Sequence, residues 1–121
     1  MNKYIYLAIF GFLGAILRHL AYSLNLGDTS LNTLLINVLG SFALAVILAL
    51  SFSTRHLSLN FKLGITVGLL GAFTTFSTLC KEIYMFIYTG NYAFALLYIS
   101  ASIILGLGAV YAGNALEKGA L

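Results

Sequence analysis

The sequence predicts an all-α membrane protein of four transmembrane helices, the third broken near its middle. Three observations carry this reading. The first is composition: of 121 residues, 61% are hydrophobic and 7% charged, whereas soluble domains run at roughly 45–50% apolar and about 25% charged. Six basic and three acidic residues cannot cover a water-facing surface. The second is pattern. Four apolar stretches parted by short polar turns fill the chain from Tyr4 to Leu116, so the first of them is not a removable leader. The third is that one stretch is too long for a single straight crossing and carries Gly and Thr at its centre.

The first segment runs from about Tyr4 to Ser23 and closes on the turn-forming string Asn25-Leu26-Gly27-Asp28-Thr29-Ser30. The second, about Leu31 to Phe52, ends at Ser53-Thr54-Arg55-His56. The third runs from about Phe61 to Tyr88, and Thr89-Gly90-Asn91 turns the chain into the fourth, Tyr92 to about Leu116. Each crossing needs about 20 helical residues for a hydrocarbon core about 30 Å thick, so residues 1–121 read as a single four-helix domain. Short connections make successive helices antiparallel.

At 1.5 Å per residue the third segment would be roughly 42 Å long as one helix, well beyond the hydrocarbon core. Its centre reads Gly68-Leu69-Leu70-Gly71-Ala72-Phe73-Thr74-Thr75-Phe76-Ser77-Thr78. Gly weakens a helix by about 1 kcal/mol relative to Ala, and β-branched Thr adds a smaller penalty. Broken backbone at membrane depth is tolerated only inside protein or along a wet cavity, so the break is a candidate site. Gly11 with Ala15, and Gly64 with Gly68 and Ala72, allow close backbone approach. Tyr4, Tyr6, Tyr22, Tyr88 and Tyr92 fall at helix ends, as an interfacial aromatic belt requires.

The net charge of +3 is spread over isolated Lys and Arg with no basic stripe, which argues against a nucleic-acid partner. Cys80 alone forms no intrachain disulfide and reads as a small apolar packing residue. His19 and His56 are far apart and unsupported, and no nucleophile, metal spacing or nucleotide loop is present, so an enzyme is not expected. The informative residues are polar ones inside the crossings: Arg18, Asn37, Ser41, Thr74 to Thr78, Lys81, Glu82, Tyr98 and Ser102. Taken alone, Asn37 fits an interhelical hydrogen bond and Arg18 a side chain snorkelling to the interface. Lys81 and Glu82, being neighbours, point about 100° apart and suit partners on other helices better than each other. Glu82 is the sole carboxylate within a crossing, and it keeps a proton-coupled transporter in view.

The strings Gly11-Phe12-Leu13-Gly14-Ala15-Ile16-Leu17-Arg18, Thr33-Leu34-Leu35-Ile36-Asn37-Val38-Leu39-Gly40-Ser41-Phe42 and Gly68 to Thr78 together resemble the three signatures of the CrcB/Fluc fluoride channels. The resemblance spans the whole chain. It implies a multi-pass protein of the cell (inner or plasma) membrane, surrounded by lipid, that exports fluoride passively through an antiparallel, dual-topology dimer with two pores. In that setting Asn37 hydrogen-bonds the ion, Phe76 turns ring edges toward it, and Ser77 and Thr78 add hydroxyls. Tyr98 and Ser102 match a polar track, and the backbone carbonyls of Gly71 and Thr74 match the ligands of a structural sodium ion at the dimer centre. Arg18 and Glu82 match further polar positions. The chemistry agrees: fluoride is strongly hydrated, so a pore must return hydrogen-bond donors, and aromatic edges carry partial positive charge.

Two features depart from the family pattern. Leu79 stands where a second Phe commonly follows Thr-Thr-Phe-Ser-Thr. The charges are also one-sided: Lys3, Arg55, Lys62 and Lys118 share the side of the termini, while the loops of the other side carry no Lys or Arg, which favours one orientation. Both features raise a heterodimer with an oppositely oriented paralogue beside the homodimer. The rival function is a small four-helix proton-coupled multidrug transporter, although that family is built around a Glu in its first crossing and the first segment here has no carboxylate. A membrane subunit that only packs against partners is a third possibility.

Overall fold

The computed structural model describes residues 2–24, 27–53 and 56–120, with side chains described in those ranges except at 51–53 and 117–120. Asn25, Leu26 and Arg55 lie outside the described residues, as does the side chain of Lys118. The elements are α1 (Lys3–Ser23), α2 (Thr29–Ser53), α3 (Leu59–Leu63), a π-helical segment (Gly64–Leu70), α4 (Gly71–Phe73), α5 (Phe76–Tyr88) and α6 (Tyr92–Ala120). Among the described residues, four stretches are long and apolar enough to cross a membrane: Lys3–Ser23, Thr29–Leu50, Leu59–Tyr88 and Tyr92–Leu116. The third of these is bent. Thr74 (φ −78°, ψ 158°) and Thr75 (φ −144°, ψ 119°) leave the helical region altogether, between α4 and α5.

Side chains start the helices. Asn2 accepts from the Tyr4 amide, Ser58 from Phe61 and Thr75 from Thr78, each offsetting an orphan donor at a helix N-terminus. Between α5 and α6, Gly90 sits at φ 84°. Its amide bonds the Ile87 carbonyl and that of Asn91 the Phe86 carbonyl, closing α5 with a paired C-terminal cap that favours glycine. Asn91 then gives its own carbonyl to Ala95, so the turn is three residues long because it ends one helix and begins the next.

The first half of the third crossing lies on α1 through small residues. A side chain at Gly14 would run into the Leu69 carbonyl and the Ala72 methyl, and one at Gly68 would meet the Leu7 carbonyl at 3.1 Å. Gly14, more than the expected Ala15, makes this approach, and Tyr6 turns in to pack on Phe10 and edge-on to Phe61. α2 and α6 form the other main contact, with Gly113 against the Phe42 carbonyl. Many large apolar side chains face outward on α1, α2, α5 and α6, among them Phe12, Leu39, Leu96 and Ile104. For a chain solvated by lipid this is the ordinary arrangement, since lipid tails are as apolar as the side chains they meet. Cys80 is exposed as well, so it does not pack in the interior as expected.

Candidate functional site

Thr29, Thr33, Asn37 and Ser41 recur every four residues along α2 and therefore share one face. That face meets the broken third crossing at two places. The deeper one is the break. Asn37 Nδ2 donates to the Thr75 carbonyl (3.0 Å), and Asn37 Oδ1 accepts from the Thr75 N–H (2.8 Å). One side chain thus satisfies both backbone groups of a buried residue that has left the helical ladder, which otherwise would cost about 1–3 kcal/mol each. Thr74 returns both its amide (3.1 Å) and its hydroxyl (3.0 Å) to the Leu70 carbonyl.

These bonds have a consequence for two carbonyls. In an unbroken helix the Thr75 amide would close on Gly71 and the Thr78 amide on Thr74. Here the first is taken by Asn37 and the second by Thr75 Oγ1 at 3.3 Å. Gly71 and Thr74 are therefore left without their helical donors at the rim of an open concavity of about 300 Å³, lined also by Asn37, Ser41, Phe76 and Leu79. Phe76, the first residue of α5, is 77% exposed, so its ring stands clear of its own chain. Ser77 is exposed and lies 3.4 Å from Thr75 Oγ1.

The second place is nearer the turns. Glu82 is held at both oxygens: Thr33 donates to Oε1 (2.7 Å) and Tyr98 to Oε2 (2.6 Å). Tyr22 shares a 2.6 Å hydrogen bond with Thr33, so the cluster ties α1, α2, α5 and α6 together. Thr33 is wholly buried and Tyr98 nearly so. Beside this cluster a cleft of about 370 Å³ is lined by Tyr22, Asp28, Thr29, Thr78, Lys81 and Glu82, among others.

The residues singled out in the sequence thus divide. Asn37, Gly71, Thr74 and Phe76 meet at the break, whereas Thr78 and Glu82 line the cleft and Tyr98 bonds Glu82. The Ser102 hydroxyl is enclosed and has no hydrogen-bond partner among the described residues. Arg18 is half-buried on α1 and lines neither cavity. Sequence reasoning passed over Thr33 and assigned Tyr22 to the interfacial belt; Tyr22 instead turns its hydroxyl inward. The four-residue stripe on α2 was the available signal for Thr33.

Residues 5–114 match the family described as "CrcB-like protein, Camphor Resistance (CrcB)". The fluoride-specific ion channel FluC of Shewanella oneidensis is 40% identical over 120 residues, covering 96% of each chain. That of Geobacter sulfurreducens is 34% identical over 117 residues, covering 93% of this chain and 94% of the relative. The FluC of Hydrogenovibrio crunogenus is 44% identical over 86 residues, which are 71% of this chain and 65% of the relative, just under two thirds of its length. The chain belongs to the CrcB family.

Proposed function

We propose that this CrcB-family chain is a subunit of a fluoride-selective channel that lets fluoride leave the cell passively, and that it is not an enzyme. The observation that carries the reading is the Asn37–Thr75 amide pair beside the outward-standing Phe76. Asn37 spends one Nδ2 hydrogen on Thr75 and keeps a second. Together with the amides of the first turn of α5, that hydrogen offers donors to an anion at a helix N-terminus, where the dipole favours negative charge. Phe76 adds a ring edge. Ser77, Thr78 and Ser102 extend the supply of hydroxyl donors, and the Ser102 hydroxyl, which has no partner among the described residues, calls for an ion or water to complete it. A negative cell interior drives the anion outward with no coupled proton. Glu82, the carboxylate a proton-coupled transporter would use, already has both oxygens engaged by hydroxyls.

A second chain completes this site. Broken backbone at membrane depth must be covered by protein, and a Cβ built on Gly71 would meet no atom within 4 Å. An antiparallel copy related by a two-fold axis would bring its own break against this one. The Gly71 and Thr74 carbonyls, freed of their helical donors, are hard oxygen ligands of the kind alkali cations take. Two from each subunit would hold a structural sodium ion whose charge balances the exposed carbonyl dipoles. Leu79 at the concavity, and the bias of Lys3 and Lys62 toward the terminus-bearing side, favour a second assembly in which an oppositely oriented paralogue takes the place of the copy.

Purified chain in liposomes, loaded with fluoride or chloride, tests both. Fluoride efflux well above chloride, abolished by Asn37→Ala and by Phe76→Ile, is expected for the homodimer. Equal flux of the two anions, or silence alone and with any paralogue, would sink the channel reading.

A further inference from the structure

The cleft beside Glu82 carries a charge arrangement that the break does not. The charged residue types in its lining are one basic, Lys81, and two acidic, Asp28 and Glu82, beside the phenol of Tyr22. Glu82 is committed at both oxygens to Thr33 and Tyr98, and Lys81, at the preceding position of α5, is exposed. Asp28 immediately precedes α2 and is exposed, and its backbone carbonyl starts the helix by accepting from the Asn32 amide at 3.3 Å. The cleft is bounded by the end of α1, the start of α2 and the outer half of α5, so it opens at the end of the bundle where the α1–α2 and α5–α6 turns lie. Thr78, one turn before Glu82 on α5, connects it to the capped start of α5 at the break through Thr75 Oγ1 at 3.1 Å.

From this placement we infer that the cleft is a mouth of the ion pathway, and that Lys81 and Asp28 set anion admission there in opposite senses, Lys81 raising it and Asp28 lowering it. The inference rests on the channel reading above. Without Lys81 the charged residue types of the mouth would all be acidic, and a low-dielectric cleft focuses such a field on the ions approaching it. Neither residue touches the break, so both act on local anion concentration and leave the ion contacts deeper in the chain as they are. An electrostatic role of this kind fades with salt, because the screening length falls from about 30 Å at 0.01 M to about 3 Å at 1 M.

The test compares Lys81→Gln, Lys81→Arg and Asp28→Asn with the unaltered chain in liposomes, as initial fluoride efflux at low fluoride in about 0.01 M and about 1 M inert salt. At low salt Lys81→Gln should lower the rate about 3- to 10-fold, Asp28→Asn should raise it, and Lys81→Arg should match the unaltered chain. At high salt all four should converge. Asp28→Asn keeps the backbone cap of α2, so a change there reports charge and not folding. The inference fails if the two neutralising changes move the rate in the same direction, if Lys81→Gln matches the unaltered chain at low salt, or if its loss persists at high salt. Silence of the unaltered chain, alone and with any paralogue, would overturn the channel reading itself, a result distinct from variants that merely match it.

Discussion

The break and the Glu82 cluster are both polar, both buried against α2 and only about a helical turn apart, yet they are finished differently. Around Glu82 each carboxylate oxygen has a hydroxyl, Thr33 joins Glu82 to Tyr22, and the four side chains come from four helices, so the chain satisfies itself. At the break the chain stops halfway. Asn37 secures the Thr75 backbone, but the Gly71 and Thr74 carbonyls lack their helical donors, and both residues, with Phe76, line an open concavity. A closed cluster holds helices in register; an open one is built to be completed from outside the chain.

Substitutions should separate the two. The largest loss of stability is expected from Asn37→Ala, which orphans an amide and a carbonyl at about 1–3 kcal/mol each. The thermal midpoint of the detergent-solubilised protein should fall most in this variant, with fluoride flux lost. Glu82→Ala strands the buried Tyr98 hydroxyl and leaves Thr33 only the Thr29 carbonyl to donate to, and should cost about 2 kcal/mol by the same measure; if it leaves the midpoint unchanged, the cluster is not what holds the helices together. Tyr22→Phe removes one hydrogen bond and should cost about 1 kcal/mol. Phe76→Ile should shift the midpoint by no more than about 0.5 kcal/mol, since the ring touches little of its own chain. The same variant should lose selective fluoride flux, which would set function apart from folding at the open site.

Much of this was legible because hydrocarbon makes anomalies conspicuous. Asn37 among Leu and Ile, and a third segment too long and too rich in Gly and Thr, announce themselves in a sequence of so few polar residues. The unwound pair Thr74–Thr75 falls within the string that announced it. What escaped were residues whose chemistry looks ordinary where they stand. Thr33 resembles any hydroxyl on a helix, and Tyr22 at a helix end resembles a belt residue, so their meeting over Glu82 is a tertiary fact. Phe76, Ser77 and Thr78 read as one cluster, but each step of about 100° around α5 carries the next side chain away, and Phe76 and Thr78 line different cavities. The π-helical Gly64–Leu70 had no sequence signal beyond its glycines.

The Asn37–Thr75 contact has a genetic corollary. One end of it is a side chain, but the other is main chain, which no codon change at position 75 short of proline can delete or reshape. Lost contacts between two side chains can be repaired from either partner; this one can be repaired only at codon 37. A suppressor search begun from an Asn37 variant, under selection for growth in fluoride, should therefore return true revertants and few second-site rescues.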